Sequence, residues 1–262
     1  MKGLPPPLPI PLSARAATLP PGWPAGVGRI LLDSVGSTNA EAFRRADQAP
    51  VWVMARCQTA GRGRRGRAWD DPPGNFAASL AMRPGDGPAG LALRSFTAAL
   101  ALAEALEGLT GLHGAFALKW PNDVLLEEGK LSGILLETGP GGLLVIGIGV
   151  NLRHTPPAAP DAAFSPVALH PATGHDIAPE ALLEALAPAF AAWEARLSAE
   201  GFAPVRAAWL SRAAHLGQPV TAKLGNGAVL SGRFDGIGAD GTLRLATAQG
   251  VRDIPAADVF FA

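Results

Sequence analysis

The sequence predicts an α+β protein, with a mixed, largely antiparallel sheet and flanking helices followed by a small C-terminal β-barrel. Three observations support this fold class. Strand-length apolar runs follow one another between residues 115 and 150, and Pro-Asn, Glu-Gly and Gly-Pro-Gly-Gly turn signals separate them, which favours antiparallel neighbours. A strongly apolar stretch at 90–109 is typical of a core helix. After residue 217, short strand-like runs alternate with Asn-Gly and Asp-Gly turns, as in a small barrel.

The chain opens with a Pro-rich tail over residues 1–25, which we expect to be flexible or polyproline-like. The main domain is predicted to contain strands at 27–32, 51–57, 75–82, 115–120, 123–126, 131–137 and 143–150. Thr38 and Glu41 have the spacing of a capping box, which predicts a helix over 40–46. Further helices are predicted at 90–109, 178–200 and 202–214, with Pro188 as a candidate break.

Residues 153–177 are rich in proline and predict a long loop. The C-terminal strands are predicted at 220–224, 228–235, 242–245 and 250–254. We therefore expect three parts: the tail 1–25, a main domain 26–214 and a small β-domain 215–262.

Composition narrows the class of protein. The 262 residues are 48% hydrophobic and carry 22 basic and 22 acidic groups, which excludes wholesale disorder and gives no overall attraction to nucleic acid or anionic membranes. Cys57 is the single cysteine, so no internal disulfide can form. No stretch approaches the roughly 20 uninterrupted apolar residues of a membrane span. These features predict a cytoplasmic protein without a membrane partner.

The run Gly61-Arg62-Gly63-Arg64-Arg65-Gly66-Arg67 is the strongest local signal. Glycine lets the backbone approach a ligand closely, and arginine presents a planar fork of donors to carboxylate or phosphate. The spacing of the glycines also matches a dinucleotide fingerprint, but that motif requires a helix directly after it. Here Ala-Trp-Asp-Asp-Pro-Pro-Gly follows, which excludes such a helix. The run predicts an anion-binding loop.

Two further motifs carry polar residues at turns or strand ends. The first is Lys119-Trp120-Pro121-Asn122-Asp123, followed by Lys130 at the start of an apolar strand that contains Gly133. A hairpin turn explains the first part, while a glycine inside a strand often marks the close approach of a ligand. The second is Gly147-Ile148-Gly149-Val150-Asn151, a strand that ends in asparagine. The five histidines are scattered, without the spacing of a metal site.

Together these motifs resemble the biotin–protein ligases, in order and in spacing. The matching segments are 37–39 (Ser-Thr-Asn), 58–69 (from Gln58 to Trp69), 119–123, 130–135 (Lys-Leu-Ser-Gly-Ile-Leu) and 147–151. The resemblance covers roughly residues 30–155, and the C-terminal β-domain is similar to the SH3-like appendage of that family. It implies a catalytic fold of the class II aminoacyl-tRNA synthetase and biotin ligase type.

The resemblance implies a two-step reaction. Biotin and ATP first give biotinyl-5′-AMP and pyrophosphate, and a lysine of a biotin carboxyl carrier protein or domain then takes the biotin. Lys130 and Arg64 are the implied catalytic residues. The implied biotin-binding residues are Ser37, Thr38, Asn39, Gln58, Gly61, Arg62, Arg64, Lys130 and Gly133. The implied nucleotide-binding residues are Arg64, Arg67, Trp69, Asn122, Asp123 and Asn151.

The resemblance also implies that Mg²⁺ is held mainly through phosphate oxygens, with no direct protein ligand, and it leaves a homodimer open. Some family members carry an N-terminal DNA-binding helix-turn-helix, whereas here a Pro-rich stretch precedes the first strand, so we expect a monofunctional enzyme that does not bind DNA. Two alternatives stay open. One is a lipoate or octanoate protein ligase or transferase, and the other is a nucleic-acid-binding module that uses the arginine-rich loop.

Overall fold

The computed structural model describes residues 15–16, 21–158, 164–255 and 257–261. Most of the predicted N-terminal tail therefore lies outside the described residues. The described residues form two sheets, one of eight strands and one of five.

The strands of the large sheet are β1 (Arg15–Ala16), β2 (Gly28–Leu32), β3 (Val51–Ala55), β4 (Phe76–Met82), β5 (Phe116–Lys119), β6 (Asp123–Leu126), β7 (Gly129–Gly139) and β8 (Leu143–Val150). Their order is β1-β2-β3-β4-β8-β7-β6-β5. Only β2 and β3 pair in parallel among the described strands, so the sheet is mixed and largely antiparallel, as predicted.

The helices are α1 (Thr38–Arg44), α2 (Pro88–Ala92), α3 (Arg94–Thr110), α4 (Leu169–Thr173), α5 (Pro179–Glu200) and α6 (Phe202–Ser211). Helices α3 and α5 pack against one another and against one face of the sheet, where they bury side chains such as Leu100, Leu186 and Ile146. Helix α1 lies on the opposite face, over β3, β4 and β8. Because α1 is short, it leaves the rest of that face to the arginine-rich loop and the cleft described below.

Several predicted elements differ in detail. Ser37, not Thr38, is the N-cap of α1, and no side-chain capping bond forms, because the Thr38 hydroxyl contacts Gln58 and Ser79 instead. The helix predicted at 90–109 is two helices, α2 and α3. Helix α5 runs through Pro188 without a break. Helix α4 lies in the segment predicted as loop.

The helical region Pro88–Thr110 is long and apolar enough to cross a membrane by composition alone. In the structure, 72% of its most apolar window is buried against the rest of the protein. Side chains of α3, including Leu102 and Leu106, are fully buried. Helix α3 is therefore the central core helix of the main domain.

The C-terminal sheet contains β9 (Pro219–Leu224), β10 (Val229–Ile237), β11 (Leu243–Thr247), β12 (Gly250–Ile254) and β13 (Ala257–Phe261), in the order β12-β11-β10-β9-β13. The last strand was not among the predicted elements. The predicted barrel is not closed within the described residues, since β12 and β13 form the two edges of an antiparallel sheet. Trp120 donates a hydrogen bond of 2.9 Å to the Gly241 carbonyl, which ties this sheet to the main domain.

Candidate functional site

A cleft of about 410 Å³ opens on the sheet face that carries α1. The arginine-rich loop forms one wall, the central strands β7 and β8 form the floor, and β13 of the C-terminal sheet closes one side. Segments 156–157 and 164–166 add apolar side chains to the rim.

The cleft floor is shaped by glycines that face each other on β7 and β8. Gly133 pairs with Gly149 across the two strands. The indole ring of Trp69 lies over this pair, because a Cβ added to Gly149 would come within 2.4 Å of the ring and one added to Gly133 within 3.2 Å. No other residue type fits Gly149 without displacing the ring. These glycines therefore provide a flat apolar floor, and Trp69 is the aromatic wall above it.

One end of the cleft is a buried network of uncharged polar groups. Thr38 donates its backbone N–H to Gln58 Oε1 at 2.8 Å, and its hydroxyl lies 3.1 Å from the same oxygen. The Ser79 hydroxyl is fully buried and contacts both Thr38 Oγ1 at 2.8 Å and Asn39 Oδ1 at 2.6 Å. Gly147 has to be glycine here because a Cβ would collide with the Asn39 amide. This end suits a neutral ligand group with several donors and acceptors.

A carboxylate links this network to the arginine-rich loop. Glu137 on β7 accepts a hydrogen bond of 2.7 Å from Asn39 Nδ2 and one of 3.4 Å from Arg62 Nη2. Arg62 is half-exposed, so the ion pair contributes little stability, on the order of 1 kcal/mol or less. Its effect is geometric, because it holds the start of the loop over the polar end of the cleft.

The other end of the cleft carries two lysines that share one carboxylate. Lys130 Nζ lies 2.7 Å from Asp123 Oδ1, and Lys119 Nζ lies 3.5 Å from Asp123 Oδ2. A two-residue turn at Glu127 and Glu128, both with positive φ, joins β6 to β7 and brings Lys130 back alongside Asp123. The pair of lysines leaves a net positive charge at this end.

The electrostatics of this cluster follow from its burial. Burial would raise the pKa of Asp123, but the Lys130 and Lys119 ammonium groups hold it below its usual value, so the carboxylate stays ionised. Burial lowers the pKa of Lys119, Asp123 opposes this shift, and the charge of Lys130 adds to it. Lys119 is almost fully buried, whereas about a third of the Lys130 side chain is exposed. Lys130 is therefore the lysine that can reach a ligand.

Further cations and amides surround this end. Arg64 donates to Asn122 Oδ1 at 3.2 Å, and Asn122 in turn donates to the Ile134 carbonyl. Arg67 pairs with Asp258 of β13 at 3.4 Å, so the loop also contacts the C-terminal sheet. Asn151 donates to the carbonyls of Lys130 and Val167, which fixes the backbone beside Lys130.

The structure brings almost all the sequence-predicted site residues to this one cleft. Its lining includes Ser37, Thr38, Asn39, Gln58, Arg62, Arg64, Arg67, Trp69, Asn122, Asp123, Lys130, Gly133 and Asn151. Gly61 is the exception. A Cβ on Gly61 would meet the Trp69 carbonyl at 2.4 Å, so its lack of a side chain lets the two ends of the loop lie against each other.

Sequence reasoning missed Lys119, Ser79, Glu137 and Asp71 as parts of the site. Lys119 is the first residue of the Lys-Trp-Pro-Asn-Asp motif, and its place two residues before the proline is the signal that could have identified it. Ser79 and Glu137 lie within predicted strands, and only strand pairing and the position of α1 bring them to the ligand end of the sheet.

The arrangement suits a ligand that is neutral and polar at one end, apolar in the middle and anionic at the other. The described residues contain no group of three or more His, Cys, Asp or Glu side chains that could hold a metal ion. Cations and amides predominate at the lysine end, and both lysines pair with the Asp123 carboxylate. Its chemistry is therefore electrostatic stabilisation of an anionic reaction centre.

Comparisons with known proteins agree with this geometry. Residues 31–151 match the biotin/lipoate A/B protein ligase family, and residues 215–262 match the biotin protein ligase C-terminal domain. The biotin–[acetyl-CoA-carboxylase] ligase of Paracoccus denitrificans is 50% identical over 88% of this chain and 99% of its own length. The bifunctional ligase/repressor BirA of Bacillus subtilis is 31% identical over 87% of this chain and 72% of its own length.

Solved structures show the same relationship. The biotin protein ligase of Aquifex aeolicus in complex with biotin and ATP superimposes with a TM-score of 0.78 and 26% identity, over 89% of this chain and 99% of that one. The sequence match extends through the C-terminal sheet. The chain belongs to the biotin protein ligase family.

Proposed function

We propose that this protein is an ATP-dependent biotin–protein ligase that activates biotin as biotinyl-5′-AMP and transfers it to a lysine of a biotin carboxyl carrier protein or domain. The observation that carries the proposal is the polarity of the cleft, with an uncharged hydrogen-bonding network at one end and two lysines at the other. Biotin has the matching sequence of groups: a cyclic urea, an apolar ring and chain, and a carboxylate. The names of the relatives support the same reaction.

In the first step the biotin carboxylate attacks the α-phosphorus of ATP and pyrophosphate leaves. Two like unit charges 4 Å apart repel by about 4 kcal/mol at an effective dielectric of 20, so the reactants need cations between them. Lys130 can leave Asp123 for the reacting oxygens, since Asp123 keeps Lys119 as a second partner. Arg64 and Arg67 would hold phosphate, and Trp69 would pack on the nucleotide.

In the second step the acceptor lysine amine attacks the acyl carbonyl of the adenylate, AMP leaves and the amine loses its proton to solvent. The arginine-rich loop would cover the adenylate until the acceptor arrives, which protects the mixed anhydride from water. The nucleotide side of the cleft would be formed by Asn122, Asp123 and Asn151.

Mg²⁺ is expected to arrive with ATP. Two carboxylates beside the proposed phosphate site are already paired, Asp123 with two lysines and Asp258 with Arg67, which favours a metal held by phosphate oxygens rather than by protein ligands. Bound there, Mg²⁺ would neutralise phosphate charge. The acceptor is expected to be the carrier of a carboxylase, in the cytoplasm, and a homodimer remains compatible with the proposal.

The test is pyrophosphate release from ATP and Mg²⁺ in the presence of biotin, lipoate, octanoate or no acid. We expect release with biotin only, followed by biotinylation of an added carboxyl carrier domain. Release with lipoate or octanoate instead would assign the protein to the lipoate branch of the family. No release with any acid would contradict the ligase function.

A further inference from the structure

Asp71 is a buried carboxyl group directly behind the polar end of the cleft. It is only 4% exposed and follows the arginine-rich loop in sequence, yet it does not line the cleft itself. Gln58 Nε2 donates to Asp71 Oδ2 at 3.4 Å, and Asp71 Oδ1 has no hydrogen-bond partner among the described residues. A buried carboxyl group without a cationic partner is costly, which calls for a functional explanation.

The contacts of Gln58 supply that explanation. A carboxamide can face its surroundings in two orientations that differ only by exchange of its oxygen and its nitrogen. The backbone N–H of Thr38 is an obligatory donor, so Gln58 Oε1 has to face Thr38. Gln58 Nε2 then faces Asp71, an acceptor when ionised. Asp71 and Thr38 together allow one orientation only.

This orientation determines what the polar end of the cleft offers. The Thr38 hydroxyl lies within hydrogen-bond distance of Gln58 Oε1 and can donate to it, while its oxygen contacts the Ser79 hydroxyl. Gln58 Nε2 carries two hydrogens and uses one on Asp71, so the second is available to an acceptor in the cleft. With the opposite orientation, the amide oxygen would face a carboxylate and the nitrogen would face an N–H group.

We infer that Asp71 is a positioning residue for recognition of the biotin head group, acting through the carboxamide of Gln58 without touching the ligand. The inference rests on the proposed function, since it assigns the neutral end of the cleft to the cyclic urea. Asp70, its neighbour in sequence, is exposed and carries no such contact, so the role belongs to Asp71 alone of the two.

The test compares Asp71→Ala, Asp71→Asn and a control, Glu107→Ala, in biotin-dependent pyrophosphate release. Glu107 is also a buried carboxyl, but it pairs with Arg212 away from the cleft. We expect Asp71→Ala to raise KM for biotin about tenfold, with KM for ATP and kcat within about twofold of the parent. Asn keeps an acceptor for Gln58 Nε2 and should restore KM to within about threefold. Glu107→Ala should reduce thermal stability and leave both KM values unchanged.

A double-mutant cycle tests whether the effect passes through Gln58. In a Gln58→Ala background, removal of Asp71 should produce no further rise in KM for biotin. If Asp71→Ala does not fold, Asp71→Leu replaces it, since leucine has the same branching without an acceptor.

An unchanged KM for biotin in Asp71→Ala, an equal rise in KM for ATP, or a full additional effect in the Gln58→Ala background would each overturn the inference. These results differ from failure of the proposed function, in which the parent protein itself would show no biotin-dependent pyrophosphate release.

Discussion

The buried Asp71 carboxyl should make this protein less stable at neutral pH than an Asp71→Asn variant. Burial raises the pKa of Asp71 from 3.8 to about 6, while hydrogen bonds from Gln58 oppose the rise and the charge of Asp70 adds to it. The folded protein therefore binds this proton more tightly than the unfolded chain. Stability from the protonated carboxyl is complete below pH 3.8 and is lost as the pH rises through about 6.

The size of this effect follows from the shift in pKa. A difference of about two pH units corresponds to about 3 kcal/mol of unfolding free energy, because each unit is worth about 1.4 kcal/mol. About half of that loss falls between pH 5 and pH 8. Asparagine has nearly the same shape and does not titrate, so its advantage over aspartate should grow by about 1.4 kcal/mol across this range.

The assay is urea unfolding of both proteins at several values from pH 5 to pH 8, with thermal unfolding in parallel. The gap in Tm should widen by about 4 °C over that range for a protein of this size. Titrating groups that do not interact with Asp71 are common to both proteins and cancel in the difference. A gap that stays constant with pH would refute the assignment of a raised pKa to Asp71, and a variant less stable than the parent at pH 8 would contradict the expected advantage of asparagine.

Three further changes test the site. Lys130→Ala should reduce adenylate formation by about two to three orders of magnitude in pyrophosphate release, with unchanged circular dichroism. The control is Arg196→Ala, which removes a half-exposed cation of α5 outside the cleft. Near-normal turnover of Lys130→Ala would remove its proposed role. The Arg64→Gly enzyme should release the adenylate, which would then biotinylate exposed lysines of an added protein that lacks a carrier domain. Adenylate retention equal to that of the parent would contradict the proposal that the loop covers the adenylate. Gly149→Val should displace the Trp69 indole, visible as altered tryptophan fluorescence, and raise KM for ATP at least tenfold. An unchanged fluorescence and an unchanged KM for ATP would together mean that the ring does not form the cleft wall.

Local sequence signals predicted the strands and most of the helices, because in these segments the local preference and the tertiary contacts favour the same structure. The Glu-Gly turn signal before β7 already indicated a hairpin, and Gly133 already indicated a close approach to β7. The predicted capping box does not form, because the spacing of Thr38 and Glu41 reflects local sequence only. In the folded protein the Thr38 hydroxyl contacts Gln58 and Ser79, which are distant in sequence.

The sequence by itself determined the fold class and the arginine-rich loop, because strand periodicity, turn residues and clustered charges are written in short segments. Through their resemblance to the biotin–protein ligases, its motifs also indicated the site residues, nearly all of which line the cleft. Only the tertiary structure decided which polar groups support those residues. Ser79, Glu137 and Asp71 lie in unremarkable segments, and each contacts the site through strand pairing or loop return over 13 to 98 positions. The orientation of the Gln58 amide depends on two partners that no local pattern connects, since hydrogen bonds between distant segments exist only after the sheet and the loop have packed together.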